Sequence, residues 1–336
     1  MSKVMAAGNT KIAVNTRILT GHLTGVQRYL ISILENLPER ICQVGPAIPM
    51  HGIRGHAWEQ FVLPARAKHK LLWSPSNTGP LGVTRQVLTV HDLAVIDHPE
   101  FFNRRYAAWY RFLLPRLVHR VRRIIAVSQF TKQRLIEVFG VPEKRITVIW
   151  NGIDERFCPR PEEQISAAIE KLCIPSHRYL VALGSLEPRK NLKRLLQAWS
   201  TIVSGLPNDV WLVLAGAQGK TIVFDGLPLH PLPQRVHLTG HVSDELLPAL
   251  YAGAIAAPYV SLYEGFGLPA LEAMACGTPV LTSNCTALPE VVGDAALMVD
   301  PYDLETISEE LNRIIKSHVP PAKPEACKTV DRSKRL

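Results

Sequence analysis

The sequence has no run of apolar residues that approaches the roughly 18 residues a helix needs to cross a membrane. Its first residues, MSKVMAAGNTKIAVN, hold no apolar core of the kind that marks a secretory signal peptide. We therefore expect a cytoplasmic protein.

Metal and disulfide patterns are also missing. The six cysteines, at positions 42, 158, 173, 276, 285 and 327, form no C-x-x-C pair and have no metal-ligand spacing. Reduced, scattered thiols are the expected state. There is no D-x-D sequence and no pair of acidic residues at metal-ligand spacing, so we predict no catalytic metal.

Length and composition indicate a soluble globular protein. The chain has 336 residues, of which 47% are hydrophobic and 20% charged, enough for two domains with separate cores. Charge is divided unevenly: residues 1–150 hold 21 Lys+Arg and 8 Asp+Glu, a net charge of +13, whereas residues 151–336 hold 17 and 21, a net charge of −4. Such asymmetry indicates that the first half meets an anionic partner.

Short β-branched runs alternate with amphipathic helical patterns in both halves, which predicts parallel sheets covered on both faces. Strands are expected near 12–15, 70–73, 87–90, 123–127 and 146–149, and then near 179–184, 210–215, 236–238, 254–257, 279–282 and 296–299. Helices are expected near 25–37, 103–119, 129–139, 191–203, 244–252, 268–276 and 304–316.

The turn-rich stretch WNGIDERFCPRPEE separates the two alternating halves. We predict two Rossmann-like, doubly wound α/β domains, 1–155 and 156–316, followed by a polar, Pro-rich and flexible tail, 317–336. Two such domains would face a cleft lined by the carboxyl ends of their strands, where ligands of this fold bind.

The stretch SLYEGFGLPALEAMACGTPV places two glutamates, Glu264 and Glu272, around a glycine-rich turn that leads into a helix. The backbone N–H groups of Phe266, Gly267 and Leu268 would be unpaired at the helix N-terminus, which is a ready anion site. Glu272 could accept hydrogen bonds from ribose hydroxyls, and Glu264 would lie near a transferred group. The alternative is a capping carboxylate and a solvated glutamate, which the E-x7-E spacing alone does not exclude.

The stretch LGSLEPRKNL follows a predicted strand and opens a helix. Arg189 and Lys190 would stand at the cleft, where a guanidinium and an ammonium suit a diphosphate. The alternative is an exposed basic pair, although a helix start disfavours positive charge unless an anion compensates it.

Two first-half motifs also follow predicted strands. TGHLTGVQRY opens a helix at Gly25, where the lack of a side chain would let a sugar or phosphate approach the backbone. The alternative is that this glycine serves only a tight turn. VLTVHDL ends a strand at His91, which could donate to a sugar hydroxyl or a departing phosphate, or could be a structural histidine.

The segment 101–123 mixes arginines with aromatic residues at helical spacing. One interpretation is an ordinary amphipathic helix pair broken at Pro115. The other is a surface for anionic lipid, which would hold the protein peripherally on the inner face of the plasma membrane. A nucleic-acid partner is not expected, because no recognition module accompanies the charge.

Together these motifs resemble the retaining glycosyltransferases of family 4, which have the GT-B fold. The resemblance covers residues 12–316 and includes, besides the motifs above, WEQFVLP at 58–64, AVSQFTKQRL at 126–135, VIWNGID at 148–154 and LTGHVSDELL at 238–247. It is closest to the branch that adds mannose or a similar hexose to bacterial cell-surface polysaccharides.

The resemblance implies a role for each second-half candidate. Glu264 would be the first glutamate of the E-x7-E motif, near the donor sugar, and Glu272 the second, on the ribose. Arg189 and Lys190 would hold the donor diphosphate.

It also implies that Gly25 belongs to the loop near donor and acceptor, and that His91 is the active-site histidine. The donor would be a nucleotide-sugar, GDP-mannose favoured, and the acceptor a glycan or polyprenyl-diphosphate-linked glycan. The family transfers with retention and without metal or cofactor, by a front-face displacement in which the leaving diphosphate takes the proton of the incoming hydroxyl.

Other functions stay open at this point. The chain could be another GT-B catalyst, such as a nucleotide-sugar epimerase, or an inactive GT-B scaffold that binds a nucleotide or a partner transferase. A phosphorylase would need a lysine for pyridoxal phosphate, and no lysine has a convincing setting.

Overall fold

The structure, a computed structural model, describes residues 11–20, 24–37, 41–184, 187–216 and 232–317. The chain divides into two compact units: Met1–Asp97 with Ala107–Asn151, and His98–Tyr106 with Gly152–Leu336. The predicted division placed the change at residue 155 and kept residues 98–106 in the first domain. The predicted flexible tail lies, except for Ser317, outside the described residues.

The first unit is built on a six-stranded parallel sheet with the order β2-β1-β3-β4-β5-β6. Its strands are β1 (Ile12–Asn15), β2 (Ile41–Val44), β3 (Leu71–Ser74), β4 (Gln86–Val90), β5 (Arg123–Ala126) and β6 (Ile146–Val148). Because the strands are parallel and in register, the loops that follow β1, β3 and β4 leave from one edge of the sheet.

The helices of this unit are α1 (Gly25–Asn36), α2 (Gly52–Phe61), α3 (Leu63–Arg66), α4 (Ala94–Asp97), α5 (Arg104–Arg120), whose first three residues belong to the second unit, and α6 (Gln129–Phe139). The sequence did not predict β2 or α2. In α2 the usual pattern is inverted: Ile53 and Phe61 are exposed whereas Glu59 is fully buried. Periodicity of apolar residues therefore gave no signal for this helix.

The expected helix near 103–119 is present as α5, and the interpretation with a break at Pro115 was wrong, because α5 is one continuous helix that contains this proline. Leu113, Leu114, Leu117 and Val118 are all buried on the two sides of Pro115. Burial of this shared face outweighs the single backbone hydrogen bond that proline removes.

The second unit is also a parallel sheet, in two three-stranded parts with the orders β9-β8-β7 and β10-β11-β12. A parallel bridge between Leu180 and Ala256 joins β7 to the chain just before β10. Its strands are β7 (Arg178–Leu183), β8 (Val210–Ala215), β9 (Val236–Gly240), β10 (Ala257–Tyr259), β11 (Val280–Ser283) and β12 (Leu297–Val299).

Helices cover both faces of this sheet: α7 (Glu162–Lys171), α8 (Leu192–Ile202), α9 (Leu247–Ala252), α10 (Leu268–Ala275), α11 (Leu288–Val292) and α12 (Leu304–Ser317). Alternate residues of β7 point to opposite faces, as a strand requires. Tyr179 and Val181 join the core under α7, α9 and α10, while Leu180 and Ala182 join the core under α8 and α12. The prediction of parallel sheets covered on both faces is confirmed for each unit.

Among the described residues, no helix is both long and apolar enough to cross a membrane.

Candidate active site

The loop after β7 is held in place by Asn191, the residue that precedes α8. Asn191 has a left-handed backbone, with φ of 57°, which asparagine tolerates better than most residues. Its buried amide Nδ2 donates to the carbonyls of Val260, at 3.0 Å, and Pro301, at 2.8 Å. A single side chain thus fixes the β7 loop against the segments that follow β10 and β12.

Backbone contacts bring the same loop beside the E-x7-E motif. The N–H of Leu262 donates to the carbonyl of Arg189 at 2.7 Å. On the other side, the hydroxyl of Ser283, the last residue of β11, donates to the carbonyl of Ser261 at 2.6 Å. The loops after β7, β10 and β11 therefore meet at one edge of the sheet, as the parallel arrangement predicts.

At this edge the carboxylate of Glu264 is the centre of a buried polar cluster. Its Oε1 accepts hydrogen bonds from Lys190 Nζ, at 2.8 Å, and from the Tyr259 hydroxyl, at 2.7 Å. Its Oε2 accepts from Arg189 Nη1 at 3.3 Å. Lys190 also donates to the Tyr259 hydroxyl at 2.7 Å, and Arg189 Nε donates to Glu187 Oε2 at 2.7 Å.

The charges in this cluster fix its protonation state. Burial leaves Glu264 only 5% exposed and would by itself raise its pKa. The charges of Lys190 and Arg189, with the hydrogen bonds from Lys190 and Tyr259, outweigh that effect and lower the pKa to about 2. Burial and the neighbouring Glu264 raise the pKa of Tyr259 well above its usual value. At neutral pH Glu264 is thus ionised and Tyr259 is a neutral phenol.

Two acidic and two basic side chains therefore share this edge. Glu187 and Glu264 offset the charges of Arg189 and Lys190, and all four side chains are at most 17% exposed. An arriving diphosphate would meet oriented N–H donors in a site with low net charge.

The start of α10 lies directly after Glu264 in the chain and supplies a second group of donors. Gly267 is the residue before the helix, with φ of 105° and no side-chain cap for the helix N-terminus. The N–H groups of Phe266, Gly267 and Leu268 are at the helix end that carries the positive pole of the dipole. A side chain at Gly267 would be strained by the backbone angle, and its Cβ, 2.6 Å from Leu288 Cδ2, would also have to displace that leucine.

Glu272 lies in the second turn of α10 and is 7% exposed. The structure thus places it on the same helix whose start follows Glu264. Its assignment to the ribose stays a prediction.

His91 belongs to the first unit and follows β4 as predicted. Its Nε2 is 2.8 Å from the carbonyl of Pro75, and its backbone N–H donates to Asn77 Oδ1 at 2.7 Å. Because a carbonyl only accepts, Nε2 carries the proton and Nδ1 is an acceptor in the neutral ring. Burial lowers the pKa of His91, which favours this neutral form. Nδ1 is therefore placed to accept a hydrogen bond rather than to donate one, which differs from the donation that the sequence suggested.

Gly25 is the first residue of α1. A Cβ built on it would meet no atom within 4 Å in the described structure. Neither packing nor backbone angle explains the glycine, which leaves room for a close approach from outside.

The sequence analysis missed three residues of the Glu264 cluster and its supports: Tyr259, Glu187 and Asn191. Tyr259 and Asn191 act through contacts with residues 69 positions away in the chain, so no local pattern reveals them. The one available signal was position, since Tyr259 ends β10 and the other two lie in the loop between β7 and α8.

Two family models match the chain in succession. The model described as Glycosyltransferase Family 4 matches residues 53–157, and the model described as Glycosyl transferases group 1 matches residues 166–332. Together they cover most of the chain.

Curated relatives include bacterial mannosyltransferases. The O-antigen chain mannosyltransferase B of Escherichia coli is 35% identical over 238 residues, which are 69% of this chain and 61% of the relative. The O-antigen chain mannosyltransferase RfbU of Salmonella typhimurium is 28% identical over 250 residues, 73% of this chain and 65% of the relative. The chain thus spans less than two thirds of the length of these relatives.

Solved structures agree on the fold. HepE of Anabaena, in complex with UDP and glucose, matches with a TM-score of 0.70 at 20% identity, over 92% of this chain and 90% of that one. WaaG, a glycosyltransferase involved in lipopolysaccharide biosynthesis, matches with a TM-score of 0.68 at 14% identity, over 91% and 90%. The two parallel-sheet units are those of the GT-B fold, and the chain belongs to the group 1 and family 4 glycosyltransferases.

Proposed function

We propose that the protein is a retaining, metal-independent glycosyltransferase. It would move a hexose, mannose favoured, from a nucleotide-sugar to a glycan or lipid-linked glycan during cell-surface polysaccharide synthesis. The named activities of the O-antigen mannosyltransferases support the choice of sugar and pathway class.

The Glu264 cluster carries this proposal. In this cluster a guanidinium and an ammonium each donate a hydrogen bond to one ionised carboxylate. The three groups lie at the carboxyl edge of the sheet, beside the N-terminus of α10. Donors that are oriented before the ligand arrives stabilise developing negative charge without reorganisation. A departing nucleoside diphosphate is an anion that this arrangement fits.

In the proposed reaction the bond between the sugar anomeric carbon and the diphosphate oxygen breaks. The acceptor hydroxyl forms the new bond from the same face, and its proton passes to the leaving diphosphate. Arg189 and Lys190, with the N–H groups of Phe266, Gly267 and Leu268, would neutralise that diphosphate. Holding donor and acceptor together in one orientation supplies much of the remaining acceleration.

Glu264 has no proton to give at neutral pH, since its pKa is about 2. It therefore does not act as a general acid. Its negative charge would orient the two cations and stabilise positive charge on the sugar ring as the diphosphate leaves.

We also propose that α5 contacts an anionic membrane surface. Its outer face exposes Arg111 and Arg116, and between them Phe112 is 47% exposed with the Arg116 guanidinium 4.0 Å from its ring centroid. Cations flanking an exposed ring suit the headgroup region of anionic lipid. Sedimentation with phosphatidylglycerol vesicles should fall strongly when both arginines become Gln and Phe112 becomes Ser; unchanged binding would locate the contact elsewhere.

A panel of nucleotide-sugars, led by GDP-mannose, tests the main proposal through release of nucleoside diphosphate with water as acceptor. Slow release from one donor supports a transferase and names its substrate, and the Arg189→Met variant should lose most of that release. Conversion of the donor to its epimer would identify an epimerase instead. Nucleotide binding with no turnover of any donor, even with added glycan acceptors, would favour the inactive scaffold.

A further inference from the structure

Glu59, in the WEQFVLP segment, is a fully buried carboxylate in the first unit and has no part in the proposed reaction. Its Oε1 accepts hydrogen bonds from Asn15 Nδ2, at 2.7 Å, and from Arg17 Nε, at 3.1 Å. Its Oε2 accepts from the Thr78 hydroxyl at 2.5 Å and lies 3.7 Å from His56 Nδ1. One side chain of α2 thus reaches the segments that follow two different strands.

The carboxylate is ionised in this setting. Burial would raise the pKa of Glu59, but the charge of Arg17 and the surrounding hydrogen bonds lower it below the usual value. A buried ion pair of this kind is weak evidence that Glu59 stabilises the fold, because apolar residues of similar size often give equal stability. The geometry around Glu59 gives it a different use.

The first set of contacts leads to Gly25. Asn15 is the last residue of β1, and its Oδ1 accepts the backbone N–H of Arg17, which opens the 3-10 turn Arg17–Thr20. Gln27 of α1 donates from Nε2 to the carbonyl of Ile18 in that turn. Glu59 therefore fixes the turn against which the first residues of α1 are held.

The second set of contacts leads to His91. Thr78 lies in the loop after β3, and the same loop supplies both groups that hold His91. The Pro75 carbonyl accepts from Nε2 at 2.8 Å, and Asn77 Oδ1 accepts the backbone N–H at 2.7 Å. Asn77 also donates to the carbonyl of Asp92 at 3.0 Å. Movement of the β3 loop would thus move the imidazole ring.

We propose that Glu59 is a positioning residue that holds the Gly25 segment and the His91 loop in one arrangement. The inference rests on the proposed function and on the roles that the family resemblance implies for Gly25 and His91. It gives the WEQ sequence a function that the donor site in the second unit does not supply.

Two substitutions test this without changing volume. Glu59→Gln removes the charge, leaves Arg17 without its counter-ion, and turns an N–H₂ group toward donors. Thr78→Val removes only the hydroxyl that links Glu59 to the β3 loop. Leu311→Ala is the control, because Leu311 is fully buried in α12, in a core cluster of the second unit that contains neither Glu59 nor the residues beside His91.

The main readout is the ¹⁵N NMR signal of the histidine rings, with His91 assigned by its loss in His91→Gln. The wild-type protein should show His91 as a single Nε2–H tautomer. Glu59→Gln and Thr78→Val should shift and broaden this signal. Leu311→Ala should lower the unfolding midpoint and leave the His91 signal unchanged. Should Glu59→Gln fail to fold, Thr78→Val decides. Folded variants with the wild-type signal would overturn the inference.

Ligand measurements separate this inference from the proposed function. In Glu59→Gln, the Kd for GDP should stay within about twofold of wild type, because the diphosphate site lies in the other unit. The kcat for GDP-mannose hydrolysis should fall about tenfold, because the Gly25 segment and the His91 loop would no longer be held in one arrangement. If wild type neither binds GDP nor hydrolyses GDP-mannose, the proposed function fails, while the NMR result still shows whether Glu59 holds His91. If a folded Glu59→Gln variant hydrolyses GDP-mannose as fast as wild type does, that result would count against Glu59 as a positioning residue.

Discussion

The Tyr259 hydroxyl makes two charge-assisted hydrogen bonds of 2.7 Å, one to the Glu264 carboxylate and one from the Lys190 ammonium. Tyr259→Phe removes both and leaves the ring in place. Hydrogen bonds to charged groups contribute about 1.5–3 kcal/mol each, against about 1 kcal/mol for neutral ones. Since Lys190 and Glu264 still contact each other at 2.8 Å, we expect a net loss of about 2 kcal/mol rather than the sum.

Tyr179→Phe is the matched control. The Tyr179 hydroxyl is also buried in the second unit, but it makes a neutral hydrogen bond of 2.8 Å to the carbonyl of Leu250. We expect this variant to lose about 1 kcal/mol, half the effect at Tyr259.

Urea unfolding at pH 7, followed by circular dichroism, measures both variants on the same scale. With about 2–4 °C of midpoint per kcal/mol in a unit of this size, thermal scans should separate them by a few degrees. A loss at Tyr259 no greater than the loss at Tyr179 would refute the view that the phenol stabilises a charged cluster.

Three further outcomes are expected. The pKa of Glu264 is about 2 in the folded protein against an ordinary 4.5, which gives wild type up to about 3 kcal/mol of stability above pH 4.5 that is lost as pH falls toward 2. Glu264→Gln should lack this acid-dependent loss in pH-jump unfolding. A variant that loses stability in acid as wild type does would contradict the low pKa of Glu264. Gly267→Ala should cost at least about 1 kcal/mol in urea unfolding, because of its φ of 105° and the contact with Leu288; a neutral result would show that α10 shifts freely. Gly25→Ala should keep or raise stability by up to about 1 kcal/mol, yet lower donor turnover if a ligand approaches there; full turnover would remove Gly25 from the site.

The sequence indicated that Arg189, Lys190 and Glu264 lie near one another, because they follow strands of parallel sheets. Arg189, Lys190 and Glu264 each follow a predicted strand, and parallel strands bring such loops to one edge. Position in the chain therefore sufficed to place them together. Their actual partners required the tertiary structure, since the phenol of Tyr259 and the amide of Asn191 act across long chain separations.

Two features of the fold break the local rules that sequence analysis relies on. Helix α2 buries Glu59 and exposes Phe61, so an analysis that assumes buried apolar residues finds no helix there. Pro115 misled in the opposite direction, because local propensity disfavours a helix that tertiary burial maintains. Both exceptions lie in the first unit, and α2 carries the Glu59 contacts described above.

The near-neutral edge around Glu264 has a consequence for how ligands arrive. With Glu187 and Glu264 beside Arg189 and Lys190, its four formal charges cancel, so long-range electrostatic attraction would contribute little to capture of the proposed nucleotide-sugar donor. Association of the donor should then depend weakly on ionic strength. Binding of anionic partners to the first half, with its net charge of +13, should weaken steeply with added salt. Added salt would therefore weaken the binding of an anionic partner to the first half while changing donor association little.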